Sequence, residues 1–335
     1  MSGTVDPPPP PTTIDRTLLA GFPSAGLLAA MQLELFTPLG HGPMTADELA
    51  ATLGVSARRL TPLLYLSVHA GLLRQDGDRF ANTEEAQHYL VKGGASYLGG
   101  GHELFSDLYR AAFQTAASIR ADRPQAKHDF AAMSEQELGA FFCGLHGLAV
   151  VQGRQLARER DFGRFRRLID VGGGSGGAAI GACEVCPELR AVVADLPTVV
   201  PFTRRFIDEA GLAGRISAEI VDITAVPPSS SYEVAILRNV LQVLPAEEAR
   251  RTVLNVGRAL EPGGELYIIG QCLNDTRLSP PETVAFNLVF LNIYDDGQAY
   301  TFAEHRAWPE EAGFTDVERT MLQRGLSRIS ARKRD

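Results

Sequence analysis

The stretch Leu168-Ile169-Asp170-Val171-Gly172-Gly173-Gly174-Ser175-Gly176-Gly177 constrains this 335-residue chain more than any other. An apolar run ends in a carboxylate and passes straight into a glycine turn. Glycines let the backbone turn sharply and approach a ligand where a Cβ would clash. The turn then opens a helix. Asp195 closes the next apolar run, 190–194. A spacing of about 20 residues suits a carboxylate that accepts both hydroxyls of a ribose. A nucleoside-bearing cofactor is therefore implied. Short apolar runs at 168–171, 190–194, 217–221, 233–237 and 265–271 alternate with helical stretches. That alternation predicts a parallel, doubly wound sheet of the α/β class. The runs 317–322 and 327–333 predict a closing antiparallel hairpin.

Gly172-x-Gly174-x-x-Gly177 also satisfies the dinucleotide fingerprint. Two acids point elsewhere. Asp170 stands two residues before the first glycine, where it would repel a pyrophosphate and suit an ammonium. Asp222 ends the third strand, where it can accept from an adenine amine. A plain helix-entry turn with incidental acids is the alternative these residues leave open.

The N-terminal part has a different texture. Five prolines at 7–11 enforce extended geometry, so residues 1–12 read as a disordered tail. The tail shows neither the basic nor the apolar segment of a signal peptide. Apolar residues at helical spacing predict two helices over 14–36, interrupted at Pro23. Thr45 and Glu48 have capping-box spacing and open a helix through Leu53. A second helix follows from Ser56 to Ala70, with Leu60, Leu63, Leu64 and Val68 on one face. Residues 72–81 then read as a hairpin about Asp76-Gly77. Helix–turn–helix plus hairpin is a winged-helix pattern. Over 1–110, seven Lys and Arg face eleven Asp and Glu. A net −4 module repels phosphate, so no nucleic-acid partner is expected. With no membrane-length apolar run and only four cysteines, no membrane association and a cytoplasmic setting are expected.

The run Asp170-Val171-Gly172-Gly173-Gly174-Ser175-Gly176 resembles the first motif of class I S-adenosylmethionine-dependent methyltransferases. Within these the chain is similar to the O-methyltransferases of the caffeate and acetylserotonin type. Matching stretches follow in family order: Val193-Ala194-Asp195-Leu196-Pro197, Val221-Asp222-Ile223, Leu237-Arg238-Asn239-Val240-Leu241, residues 260–266 and residues 311–314. The resemblance implies a Rossmann-like catalytic domain over 167–335 and an N-terminal, mainly helical winged-helix dimerisation domain over 13–100. It also implies a helical connector over 101–166 that contributes to a substrate pocket. Its cofactor is S-adenosyl-L-methionine, and its members act on small molecules, often in secondary metabolism, as homodimers. Carried over by position, Gly172 and Gly174 hold the amino-acid end of the cofactor beside Asp170, and Asp195 holds the ribose. Leu196, Asp222 and Ile223 flank the adenine, and Arg238 faces the cofactor.

The chain departs from the family at one informative place. Phenol-methylating members continue with His-Asp-Trp, whereas here the run is Leu241-Gln242-Val243. Glutamine cannot take a proton, so the usual general base is missing. Gln242 is expected to hydrogen-bond the acceptor, and His146 is the substitute catalytic candidate. Phe142, His146, Gln242, Phe290 and Tyr294 are the expected acceptor contacts. His305 is expected on an exposed helix face. Cys183 and Cys186 lack the second pair a zinc site needs, so no metal is expected. The leading expectation is methyl transfer driven by positioning, onto a small aromatic or apolar metabolite. The alternatives are a non-methylating enzyme that keeps the cofactor (hydroxylation or a pericyclic step) and a winged-helix ligand sensor.

Overall fold

The computed structural model describes residues 9–94, 96–128 and 133–335. Of the tail expected over 1–12, residues 1–8 lie outside the described residues, and Thr12 already begins a helix. The chain divides into two compact units, 1–102 and 103–335.

The first unit runs α1 (Thr12–Leu19), α2 (Gly21–Gln32), α3 (Phe36–Leu39), β1 (Met44–Thr45), α4 (Ala46–Leu53), α5 (Ala57–His69), β2 (Leu73–Asp76), β3 (Arg79–Asn82) and α6 (Glu84–Tyr89). Thr45 caps α4 through a reciprocal box with Glu48, as the spacing predicts. The helix pair and the β2–β3 hairpin form the winged-helix core, with Leu35, Leu49, Leu64 and Phe80 buried together. Pro23 does not interrupt a helix. It sits in the first turn of α2, where its missing N–H would have no intrahelical partner anyway. The break falls at Ala20 instead.

The second unit opens with α7 (His102–Ala112), α8 (Thr115–Ala121) and α9 (Glu135–Glu159). The alternating part follows: β4 (Arg167–Val171), α10 (Gly177–Val185), β5 (Arg190–Asp195), α11 (Val200–Glu209), β6 (Ile216–Ile220), β7 (Tyr232–Arg238), α12 (Ala246–Ala259) and β8 (Leu260–Leu273). It ends with α13 (Pro281–Ile293), β9 (Tyr300–Thr301), α14 (Phe302–Glu311), β10 (Phe314–Met321) and β11 (Leu326–Lys333). The sheet order is β10-β11-β8-β7-β4-β5-β6, with β9 beside β8. Strands β4 to β8 pair in parallel, and β10 and β11 form the expected antiparallel end. The strand order reverses beside β4, which leaves a crevice at its carboxyl end.

Helix α9 belongs to this second unit and lies against α10. Their approach depends on glycine. A Cβ on Gly153 would stand 2.2 Å from the Ala178 carbonyl oxygen, and one on Gly181 would stand 2.1 Å from that of Val150. The ring of Phe142 on α9 lies over the glycine turn at Gly174. Two apolar layers, led by Ile180, Leu189 and Tyr267 on one side and Val253, Tyr300 and Phe314 on the other, bury the sheet. Among the described residues, no helix is long and apolar enough to cross a membrane.

Candidate active site

The carboxyl ends of β4, β5 and β7 open onto a cavity of about 380 Å³ that lies wholly within the second unit. Its floor is the glycine turn. Gly172, Gly174 and Gly176 have φ of 61°, 57° and 70°, a left-handed region that L side chains rarely enter. The Gly172 N–H donates to the Ala194 carbonyl at 2.8 Å, which ties the turn to β5. A Cβ on Gly174 would stand 2.9 Å from the Phe142 ring, so a side chain here would fill the space above the turn.

Asp195 braces this turn. One carboxylate oxygen accepts the Gly174 N–H at 2.7 Å and the other accepts its neighbour Leu196 N–H at 2.7 Å. Burial raises the Asp195 pKa, and the two N–H donors oppose that shift. A carboxylate has about four lone-pair positions, so acceptor capacity remains for a ligand diol. Leu196 is 41% exposed at the cavity edge, so it is not core. Asp222 is exposed and accepts from the Thr224 N–H at 3.0 Å and from its hydroxyl at 2.7 Å. Ile223 is buried, yet it also lines the cavity.

Beneath the turn, Asp170 and Arg238 share the cavity floor. Asp170 is fully buried and accepts the Ala179 N–H at 3.1 Å, while its other oxygen has no partner among the described residues. Burial pushes its pKa up to about 7, against the Ala179 N–H and the Arg238 charge. Arg238 donates from Nε to the Gln152 amide oxygen at 2.7 Å, and one terminal nitrogen is buried without a partner. Burial lowers its pKa to about 10, against the attraction of Asp170. An orphaned acceptor and an orphaned donor side by side suit a ligand head that carries both an ammonium and a carboxylate. With the acceptor capacity left on Asp195 and the apolar edge of Leu196 and Ile223, the residues present fit S-adenosylmethionine.

The other end of the cavity is apolar. Phe142, Phe290 and Tyr294 all line it, with Leu104, Phe286 and Leu326 beside them. Gln242 lines it too, but its amide is engaged at both ends. The oxygen accepts the Gln271 N–H at 3.0 Å, and the nitrogen donates to the Asn239 side-chain oxygen at 3.3 Å. Among the lining residues there is no histidine, glutamate or lysine.

The structure does not bring His146 to this cavity. Its Nδ1 lies 2.9 Å from the Ser175 hydroxyl and its ring stacks on Phe206 at 4.3 Å. Burial pushes its pKa below the ordinary histidine value. His305 is likewise not exposed. It is 3% accessible, hydrogen-bonded to the Thr301 carbonyl at 3.0 Å and packed between Tyr300 and Trp308. Sequence reasoning missed Asn239, Gln271 and Arg324, all of which line the cavity. The first lies beside an expected residue, but nothing local marks the other two.

The chain is similar to known proteins along most of its length. The O-methyltransferase domain model matches residues 109–315, and the O-methyltransferase dimerisation domain model matches residues 18–92. The 3-hydroxy-5-methyl-1-naphthoate 3-O-methyltransferase of Streptomyces sahachiroi is 31% identical, over 94% of this chain and 93% of that protein. The tetracenomycin polyketide synthesis 8-O-methyl transferase of Streptomyces glaucescens is 27% identical, over 93% and 94%. The crystal structure of human N-acetylserotonin methyltransferase in complex with SAM superposes with a TM-score of 0.83 at 24% identity, over 99% of this chain and 100% of that one.

Proposed function

Because this chain belongs to the S-adenosylmethionine-dependent O-methyltransferase family, we propose that it methylates a hydroxyl of a small, largely aromatic metabolite by positioning rather than with a histidine base. The observation that carries this reading is the tethered Gln242 in a cavity that, among the described residues, is lined by no histidine, glutamate or lysine. The cofactor supplies an already activated methyl group. Alignment alone is worth about 7–11 kcal/mol of barrier lowering, whereas general-base help is typically roughly 10²–10⁴-fold. An acidic phenol needs little of the latter.

The chain's own residues have distinct tasks in this reading. Gly172 and Gly174 keep space open above the turn, and Asp195 orients the nucleoside by its ribose. Leu196, Asp222 and Ile223 flank the base. Asp170 and Arg238 hold the charged head. Phe142, Phe290 and Tyr294 wall the acceptor and exclude water, and the second amide hydrogen of Gln242 remains to orient its oxygen. The named naphthoate and tetracenomycin relatives support an aromatic acceptor. A homodimer through the N-terminal unit is supported by the dimerisation-domain match and by Ile14, Leu18, Leu19 and Phe22, which are 59–72% exposed.

The test is a panel of phenols and hydroxylated aromatic acids incubated with S-adenosylmethionine, scored for S-adenosylhomocysteine and for a methylated product. Stoichiometric appearance of both is expected. Turnover of an acceptor without S-adenosylhomocysteine would replace methyl transfer with the non-methylating reading, which the lack of a histidine among the described lining residues also favours.

A further inference from the structure

A second cavity, of about 320 Å³, lies on another face of α9 and is bounded by β8, β10, the turn 322–325 and β11. Its walls are apolar at Leu148, Val151, Leu156 and Ile269. Its charged groups are Glu159, Arg324 and Arg328. The Arg328 side chain is nine-tenths buried and pairs with Glu159, but its Nε has no partner among the described residues. Glu159 is engaged on both oxygens, by Gln155 and Arg328, and its pKa is pulled below the ordinary value by the Arg328 hydrogen bond first. It is therefore spent on Arg328. Arg324, held at φ 60°, makes no hydrogen bond or ion pair with the described residues and lines both cavities. Two guanidiniums against one carboxylate leave one positive charge in excess among the lining residues, carried by Arg324, which is exposed to water.

We propose that this second cavity binds the carboxylate of a small organic acid with an apolar body, through Arg324 and the free Nε of Arg328. Of the two, only Arg328 is buried with an unfilled donor, which is costly, and a carboxylate accepting from it and from the exposed Arg324 satisfies charge and hydrogen bonding together. Because Leu148 and Arg324 line both cavities, the acid is either a free ligand or the far end of the acceptor itself. As a site for a free ligand the inference does not require methyl transfer; as the far end of the acceptor it rests on that reading.

Calorimetric titration of the full chain, pre-saturated with S-adenosylhomocysteine, tests this with 1-naphthoate as probe and 1-naphthalenemethanol as its neutral counterpart. Naphthoate is expected to bind saturably at one site, and the neutral alcohol to bind at least about tenfold more weakly. Arg324→Met should weaken naphthoate binding by about tenfold, and Glu159→Gln, which adds net positive charge and frees Arg328, should tighten it. Val151→Trp should abolish it by filling the cavity while S-adenosylhomocysteine still binds. If 1-naphthol displaces naphthoate competitively, the site is the distal part of the acceptor cavity. Simultaneous binding assigns a separate ligand. Equal affinity for acid and alcohol, or naphthoate affinity unchanged in both Arg324→Met and Val151→Trp, overturns the proposal. Naphthoate binding to a protein that does not bind S-adenosylhomocysteine would count against the methyltransferase reading instead.

Discussion

The side-chain oxygen of Gln242 accepts the backbone N–H of Gln271 at 3.0 Å, which fixes Gln242 to strand β8. Gln242 is 8% exposed, so this N–H has little access to water if the glutamine is removed. Gln242→His therefore trades a structural bond for a base. The variant should lose about 1–3 kcal/mol of stability from the unsatisfied N–H. Its pH–rate profile on phenols should gain a titration near pH 6.5, rising with pH as the imidazole loses its proton. Thermal unfolding and initial rates on one acceptor check both halves. An unchanged melting temperature would mean that the Gln271 N–H finds another partner.

Asp195 braces the glycine turn by accepting the Gly174 N–H, besides its proposed hold on the ribose. Asp195→Asn removes the charge and, because an amide NH2 cannot accept, also gives up one of the two backbone N–H bonds. Affinity for S-adenosylhomocysteine should fall by about tenfold or more, the loss expected when charged hydrogen bonds of about 1.5–3 kcal/mol become neutral ones. Titration calorimetry reads this directly. Retained affinity would remove Asp195 from the ribose site.

Asp170 makes stability depend on pH. Its folded pKa of about 7 lies above the usual 3.8, so the folded chain holds more protons than the unfolded one between these values. Its contribution is fully present below about pH 4 and is lost as pH rises towards 7, by at most about 1.4 kcal/mol per pH unit. His305 has the opposite sign. Burial lowers its pKa from 6.5 to about 4, so stability falls as pH drops through that window. Asp170→Asn should therefore be more acid-labile than the wild type, with no ligand present. Denaturant midpoints at pH 4.5, 5.5 and 6.5 check this, and a constant difference between the two proteins contradicts it.

The seat of α10 on α9 admits no methyl group. A Cβ on Gly181 would meet Val150 O at 2.1 Å and Arg154 N at 2.9 Å, both backbone atoms. Gly181→Ala should destabilise by about 3 kcal/mol or more, since two helices must separate. A Cβ on Gly214 would meet nothing within 4 Å. Gly214→Ala should stay within about 0.5 kcal/mol. Comparable midpoints for the two variants would contradict the close packing.

The motifs that were legible are those whose physics is local. The glycine turn, the carboxylates at the strand ends and the capped winged helices are each decided within a few residues, and the alternation of runs gave the parallel sheet. His146 shows where such reasoning stops. Phe141, Phe142, Leu145, Leu148 and Ala149 line the cavity. At about 100° per residue, His146 points roughly 100° away from the centre of that face. It meets Phe206 and Ser175 instead. His305 was misread for a related reason, because periodicity over one short helix does not reveal that Tyr300 and Trp308 close over it.

The sequence by itself determined a doubly wound α/β unit with a cofactor turn, because strand-end spacing and glycine conformation are properties of contiguous residues. Only the tertiary structure decided where Gln242 is tethered, which aromatic rings line the cavity, and that Arg324 and Arg328 both line a second one. Those outcomes depend on segments far apart in the chain, such as α9, β8 and the turn at 322–325. Their relative placement is set by packing, and no single segment encodes it.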